Sequence, residues 1–259
     1  MNKKIIKIIN KKNISKIVSL TAYSKNIAKI LDKYCDIVLV GDSMANVLYG
    51  HENTHKISLE TIINHTISVK KGIKKSLLVV DMPKGTYSTK NNARKNAKLI
   101  MRLTKCDAVK IESNKENYKV IKDLTKNKIP VMGHIGYTPQ FKKKFSVQGD
   151  TKKKSNKLVK EALLIEKAGA FSIVLECIET RLSKKITNNL MIPTIGIGSS
   201  ANCDGQVLVI DDLIGLSKSK FKFVKKYIDI SRIIENAVKR YKSEVKKKRF
   251  PTRKHSFNT

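Results

Sequence analysis

The chain has 259 residues, 41% hydrophobic and 29% charged, with 54 Lys+Arg against 21 Asp+Glu and a formal charge of +33. That composition excludes a disordered or fibrous chain, and the length is enough to bury a sizeable core. No apolar run approaches the ~18–20 residues that cross a bilayer, and the basic start lacks the unbroken apolar stretch of a signal peptide, so a soluble cytoplasmic protein is expected.

The four cysteines, at 35, 106, 177 and 203, form neither a CxxC pair nor a Cys/His cluster, which argues against a zinc site or a disulfide scaffold. The charge is uneven: residues 1–16, 141–160 and 218–259 hold +25 of the +33. Of the basic residues 47 are Lys and 7 are Arg, and there is no Trp. Base-edge recognition favours the Arg fork, and single-strand binding favours aromatic platforms. The excess is therefore read as solvated surface without a specific nucleic-acid partner. Non-specific attraction to polyanions follows from net charge alone.

In chain order, a short basic segment leads to a β-branched run at 17–20. Ile27, Ile30, Leu31 and Tyr34 then predict a helix by their i, i+3, i+4, i+7 spacing. A second run, 37–40, is followed by Ser58, a candidate N-cap, and the stripe Leu59, Ile62, Ile63, Thr66. The run at 77–80 precedes the stripe Ala93, Ala97, Ile100, Met101, and the run at 108–111 precedes Val120, Ile121, Leu124. After the run at 129–132 comes the longest irregular stretch, 136–151. Leu158, Ala162, Ile165 and Ala168 then end at Gly169, a candidate C-cap. Runs at 172–175, 194–197 and 207–210 complete the set. Ile233, Ile234, Ala237, Val238, Tyr241 and Val245 predict an amphipathic tail helix. Eight continuous apolar runs alternating with helices imply parallel strands buried on both faces. The expected fold is α/β, a (βα)8 TIM barrel forming one domain over 1–259, with a short basic N-terminal segment and a basic helical tail. A doubly wound open sheet is the architectural alternative.

Charged groups gather at the C-terminal ends of these strands, where barrel active sites are built. They are Asp42 and Ser43 in GDS, Asp81, Lys110 and Glu112 in VKIE, His134 in GHIG, and Glu176 in LEC. Buried carboxylates are costly unless paired or metal-bound. Carboxylates without a thiolate or a His pair favour a hard cation, and Mg²⁺ fits best. Lys110 is placed to neutralise a bound carboxylate or a developing enolate, and His134 to donate a hydrogen bond. The apolar neighbours of Glu176 should raise its pKa into the range of a general base. Together these residues point to metal-assisted proton abstraction beside a carbonyl, followed by carbon–carbon bond chemistry. They do not name a substrate. The turn GIGSS at 196–200 is equally a phosphate cradle or a tight βα connection.

Twelve strings in order carry a resemblance. They are TAY (21–23), VGDS (40–43), GHENT (50–54), NHT (64–66), DMP (81–83), VKIE (109–112), GHIGYTPQ (133–140), VQG (147–149), VLEC (174–177), IPTIGIG (192–198), CDGQVLV (203–209) and HSF (255–257). By these strings the chain resembles the ketopantoate hydroxymethyltransferase family. The resemblance implies a TIM barrel of the phosphoenolpyruvate mutase/isocitrate lyase-like group. It implies transfer of a hydroxymethyl unit from 5,10-methylenetetrahydrofolate to the 2-oxo acid 3-methyl-2-oxobutanoate, the first committed step of pantothenate synthesis. It places Mg²⁺ on Asp42 and Asp81, with Glu112 as a further metal-site carboxylate. It places the 2-oxo acid against Asp42, Ser43, Asp81 and Lys110, and makes Glu176 the proton acceptor. It also implies a homo-oligomer, commonly a decamer. Departures from the family pattern are Ser24, Met44-Ala45, Lys84-Gly85, the Lys-rich stretch 140–147, Ser199-Ser200 and Asp211. Two competing readings are a related carbon–carbon lyase or phosphomutase, and a basic nucleic-acid-binding protein without catalysis.

Overall fold

The computed structural model describes residues 2–113, 116–142 and 145–257. Lys143 and Lys144, in the Lys-rich departure, lie outside the described residues. The chain divides into two compact units, Met1–Ile210 and Asp211–Thr259.

In the first unit the order is α1 (Lys3–Ile9), β1 (Ile17–Thr21), α2 (Lys25–Leu31), β2 (Ile37–Val40), α3 (Met44–Val47), α4 (Leu59–Lys70), β3 (Leu77–Asp81), α5 (Lys90–Thr104) and β4 (Ala108–Glu112). It continues through α6 (Asn117–Lys126), β5 (Val131–Gly136), α7 (Lys152–Lys167), β6 (Ser172–Glu176), α8 (Thr180–Asn189), β7 (Thr194–Ile197) and β8 (Gly205–Leu208). The strands form a closed parallel barrel in sequential order, and β8 pairs with β1 through Ile17 opposite Gly205. The closed barrel, not the open sheet, is the architecture. β2, β3, β4 and β5 are buried along their whole length, as continuous apolar runs require.

The expected caps form. Ser58 Oγ accepts the Thr61 N–H at 3.0 Å, and Gly169 follows α7 at φ +89°. Two strands are displaced from their expected positions. β5 starts at Val131, after Pro130, which has no N–H to give the ladder, and runs on to Gly136 opposite Glu176. β8 runs from Gly205 to Leu208 rather than over 207–210, because the Ile210 N–H already leaves the sheet to donate to Thr21 Oγ1 at 3.0 Å. The expected stripe of α2 is also corrected. The helix stops at Leu31, Ile30 and Tyr34 are exposed, and Ala28 and Leu31 face inward.

The short basic N-terminal segment is itself a structural element. Ile5 and Ile8 of α1 are buried in one cluster with Ile17, Ile37, Leu77, Ala108, Met132, Val174, Ile195 and Val207, so the helix joins a core to which all eight strands contribute. Burying two Ile side chains contributes about 1.5–3 kcal/mol each. The N-terminal mouth of the barrel is thereby filled, and the polar residues of the sheet gather at the other end.

The turn α9 (Ile210–Leu213) spans the division between the units. In the second unit α10 (Ile230–Lys246) forms over the expected tail stripe, capped by Asp229, whose carboxylate accepts the Arg232 N–H at 3.2 Å. Ile233, Ile234, Val238, Tyr241 and Val245 are all exposed. Among the described residues no helix is long and apolar enough to cross a membrane.

Candidate active site

Parallel register sets the polar side chains side by side. Asp81 lies opposite Lys110, Glu112 opposite His134, and Gly136 opposite Glu176. Asp42 and Ser43 follow β2 directly, after Gly41. A Cβ at Gly41 would sit 2.8 Å from Ser43 Oγ and 3.4 Å from Asp81 Oδ2, so a side chain there would push the Ser43 hydroxyl aside.

Asp81 is the first hinge of the site. Its Oδ2 accepts the Asp42 backbone N–H at 3.1 Å, and its Oδ1 accepts from Lys110 Nζ at 2.6 Å. All three residues are buried. Burial alone would lower the Lys110 pKa, but the charges of Asp81, Asp42 and Glu112 raise it above the ordinary ammonium range. Asp42 is pushed up to about 7, by burial first and then by Asp81, against the opposing pull of Lys110. Glu112 is raised well above the usual carboxylate range, by burial and by Asp42. Three buried carboxyl groups thus share a single ammonium.

His134 sits between two more distant acids. Its Nε2 is 3.2 Å from Glu176 Oε2 and its Nδ1 is 3.7 Å from Glu112 Oε1. Neither ring nitrogen makes a hydrogen bond among the described residues. Burial, and then the Lys110 charge, hold its pKa well below the ordinary value, so the ring is neutral. A neutral, buried imidazole beside Glu176 whose nitrogens make no well-formed hydrogen bond can turn one to a ligand. Glu176 has its pKa raised to about 8 by burial, and its side chain is 16% exposed, the most accessible of these acids. The structure therefore brings together Asp42, Ser43, Asp81, Lys110, Glu112, His134 and Glu176 at the C-terminal end of the barrel.

Three neighbours escaped the residue-level reading. Tyr23 places its hydroxyl 2.8 Å from Ser43 Oγ. Gln140 donates from its backbone N–H to Glu112 Oε2 at 3.0 Å and from Nε2 to Asp42 Oδ2 at 2.8 Å. Tyr87 donates its O–H to Gln140 Oε1 at 2.5 Å. Tyr23 and Gln140 fall within the TAY and GHIGYTPQ strings, but nothing in the spacing singled them out. Tyr87 carried no signal. The GIGSS turn is tied to the end of β6: Ser199 Oγ donates to Leu175 O at 2.8 Å and accepts the Ile178 N–H at 3.1 Å, while Ser200 Oγ accepts the Asn202 N–H at 3.1 Å. The turn passes from β7 straight to β8 with no helix between them, so it is a tight connection but not a βα one.

A family model described as ketopantoate hydroxymethyltransferase matches residues 2–253. The chain belongs to the ketopantoate hydroxymethyltransferase family. Within it, a 3-methyl-2-oxobutanoate hydroxymethyltransferase of Pelagibacter ubique (strain HTCC1062) is 53% identical over 257 residues, covering 99% of this chain and 100% of the relative. Among solved structures, the barrel is similar to 2,3-dimethylmalate lyase, a PEP mutase/isocitrate lyase superfamily member. The TM-score is 0.63 and the identity 12%, over 99% of this chain and 89% of the other. It is also similar to phosphonopyruvate hydrolase in complex with oxalate and Mg²⁺, with TM-score 0.61 and 11% identity over 98% and 93%. These structures share the fold. The ketopantoate hydroxymethyltransferase family supplies the class: the chain is an enzyme, a hydroxymethyltransferase.

Proposed function

We propose that the enzyme transfers a hydroxymethyl group from 5,10-methylenetetrahydrofolate to 3-methyl-2-oxobutanoate, forming 2-dehydropantoate at the entry to pantothenate synthesis. One observation carries this reading. A family member has one ammonium, Lys110, buried among the carboxyl groups of Asp42, Asp81 and Glu112, with a raised-pKa acid, Glu176, beside them.

The donor set suits Mg²⁺. It is all oxygen, and its carboxylates outnumber the one buried ammonium. Among the described residues no group of three or more His, Cys, Asp or Glu side chains is arranged to enclose an ion. Mg²⁺ is commonly held by one or two carboxylates, with the remainder of its shell from water and substrate. Asp42 and Asp81 would hold it, with Glu112 as the further carboxylate of the site. A structural neighbour solved with oxalate and Mg²⁺ supports the pairing of this barrel with a 2-oxo-acid-like dianion and that metal. When bound, Mg²⁺ supplies Lewis acidity that polarises the keto carbonyl and acidifies the adjacent C–H.

The chain's own residues do the rest. Lys110 offers positive charge to the substrate's oxygens, and Ser43, oriented by Tyr23, offers a hydroxyl. Neutral His134 has a ring N–H to donate. Ionised Glu176 accepts the C3 proton, and its raised pKa makes it a stronger base than a solvated carboxylate. The electron pair left at C3 forms the new bond to the one-carbon unit, both carbon–nitrogen bonds of the methylene bridge break, and water supplies the hydroxyl; tetrahydrofolate leaves with its two nitrogens protonated, one proton coming from C3 by way of Glu176 and one from the water. The same reading expects a cytoplasmic homo-oligomer, a decamer in the family pattern, and the basic helical tail as an appendage of one barrel domain. The test is product formation: purified protein with Mg²⁺ and both substrates makes 2-dehydropantoate, and EDTA abolishes it. No product, with the keto acid bound, contradicts the proposal.

A further inference from the structure

Gln140 stands in the connection between β5 and α7, yet it is only 1% exposed. Burying a primary amide is costly unless every donor and acceptor is used. Here they are. Nε2 gives one hydrogen to Asp42 Oδ2 at 2.8 Å and the other to the Met82 carbonyl at 3.1 Å. Oε1 accepts the Tyr87 hydroxyl at 2.5 Å, and the backbone N–H donates to Glu112 Oε2 at 3.0 Å. The amide cannot be flipped, because the Met82 carbonyl can only accept. One loop residue thus ties the ends of β2, β3 and β4 together.

Gln140 also touches the two carboxylates asymmetrically. It takes Oδ2 of Asp42 and Oε2 of Glu112, and the other oxygen of each is not taken by it. A carboxylate free to rotate presents either oxygen, and ordering it at the moment of binding costs affinity. A carboxylate already held presents one. The adjacent contacts confirm that the segment is clamped: His55 Nε2 lies 3.0 Å from the Pro139 carbonyl, and the rings of Tyr87 and Phe141 pack edge to face at 6.3 Å.

We propose that Gln140 is a positioning residue for the metal site, fixing the Asp42 and Glu112 carboxylates, and that Tyr87 acts through it by locking the amide. The inference rests on the metal-assisted reading above. Gln140 would act through the two carboxylates it holds rather than on the reacting atoms.

The experiment is calorimetric titration of Mg²⁺ into the full-length, metal-free protein as wild type, Gln140→Met, Tyr87→Phe and the double variant. Loss of an outer-shell partner typically weakens metal binding roughly 10–100-fold, and that is expected for Gln140→Met. Tyr87→Phe keeps the ring and gives a smaller loss, and the double variant binds no more weakly than Gln140→Met alone. Turnover of Gln140→Met recovers at saturating Mg²⁺, which a general structural defect would not allow. Wild-type affinity in Gln140→Met, or additive losses in the double variant, overturns the proposal. If Gln140→Met does not fold, Tyr87→Phe decides it: unchanged Mg²⁺ affinity there refutes the role. Absence of Mg²⁺ binding in the wild type refutes the metal reading itself, and this inference with it, so the two failures are distinguishable.

Discussion

Lys110 Nζ lies 2.6 Å from Asp81 Oδ1, and both side chains are almost wholly buried. Parallel register puts them opposite one another on β3 and β4, so the pair is set by the barrel rather than by chance rotamers. Breaking a buried pair by removing one partner typically costs about 3–5 kcal/mol, because the other charge is left uncompensated. Lys110→Met should therefore lower metal-free stability by about that much in denaturant unfolding and abolish turnover. Mg²⁺ should restore part of the stability, since a cation returns to the carboxylates. Equal stability of variant and wild type would show that the pair is not held in the folded protein.

The same acids make metal binding pH-dependent with a definite sign. Unfolded, these carboxyls ionise near about pH 4. Folded, Asp42 keeps its proton to about 7 and Glu176 to about 8, both chiefly through burial. Between those limits the native state binds more protons than the unfolded chain, so metal-free stability falls as pH rises through the window. Mg²⁺ requires ionised Asp42, so a fixed excess of Mg²⁺ should raise the melting temperature more at pH 8 than at pH 6. At a hundredfold excess over Kd the stabilisation is about 2.7 kcal/mol. A larger shift at pH 6 would contradict the assignment.

Gly136 lies at φ +101°, and a Cβ there would come within 2.1 Å of the Glu176 carbonyl oxygen. Gly136→Ala must therefore displace the backbone that carries Glu176, whose carbonyl accepts the Tyr137 N–H at 2.8 Å. The variant should lose at least about 1–3 kcal/mol of stability, the cost of a strained backbone position, and lose turnover more than substrate binding. Full activity would mean that β6 tolerates the shift.

Ile5, fully buried in the plug of the N-terminal mouth, should cost about 2–5 kcal/mol when cut to Ala, with kcat nearly unchanged in the surviving folded protein. Urea unfolding and turnover on the same samples separate the two effects.

The barrel was legible because its strands are buried on both faces, and β-branched runs at 37–40 and 194–197 mark such strands directly. The acids at strand ends were legible because Asp81, Glu112 and Glu176 interrupt apolar surroundings where a charge needs a reason. What the sequence hid depends on tertiary contact. The α1 segment reads as a basic tail, since Lys3, Lys4 and Lys7 mask Ile5 and Ile8, whose partners lie on distant strands. Gln140 reads as an ordinary loop residue, because its four partners, Tyr87 among them, lie 28 to 98 residues away along the chain. The stripe of α2 misled because Asp32 accepts the backbone N–H groups of Lys75 and Ser76 and the helix ends before Tyr34.

The most direct test of the account is proton NMR in D₂O with Mg²⁺ and 3-methyl-2-oxobutanoate, following the C3 hydrogen in wild type and Glu176→Gln. The account predicts EDTA-sensitive loss of the C3 signal in the wild type. In Glu176→Gln the exchange falls by roughly the 10²–10⁴-fold that a positioned general base supplies, while keto-acid binding persists. Exchange at the wild-type rate in Glu176→Gln would contradict it and show that another group takes the proton.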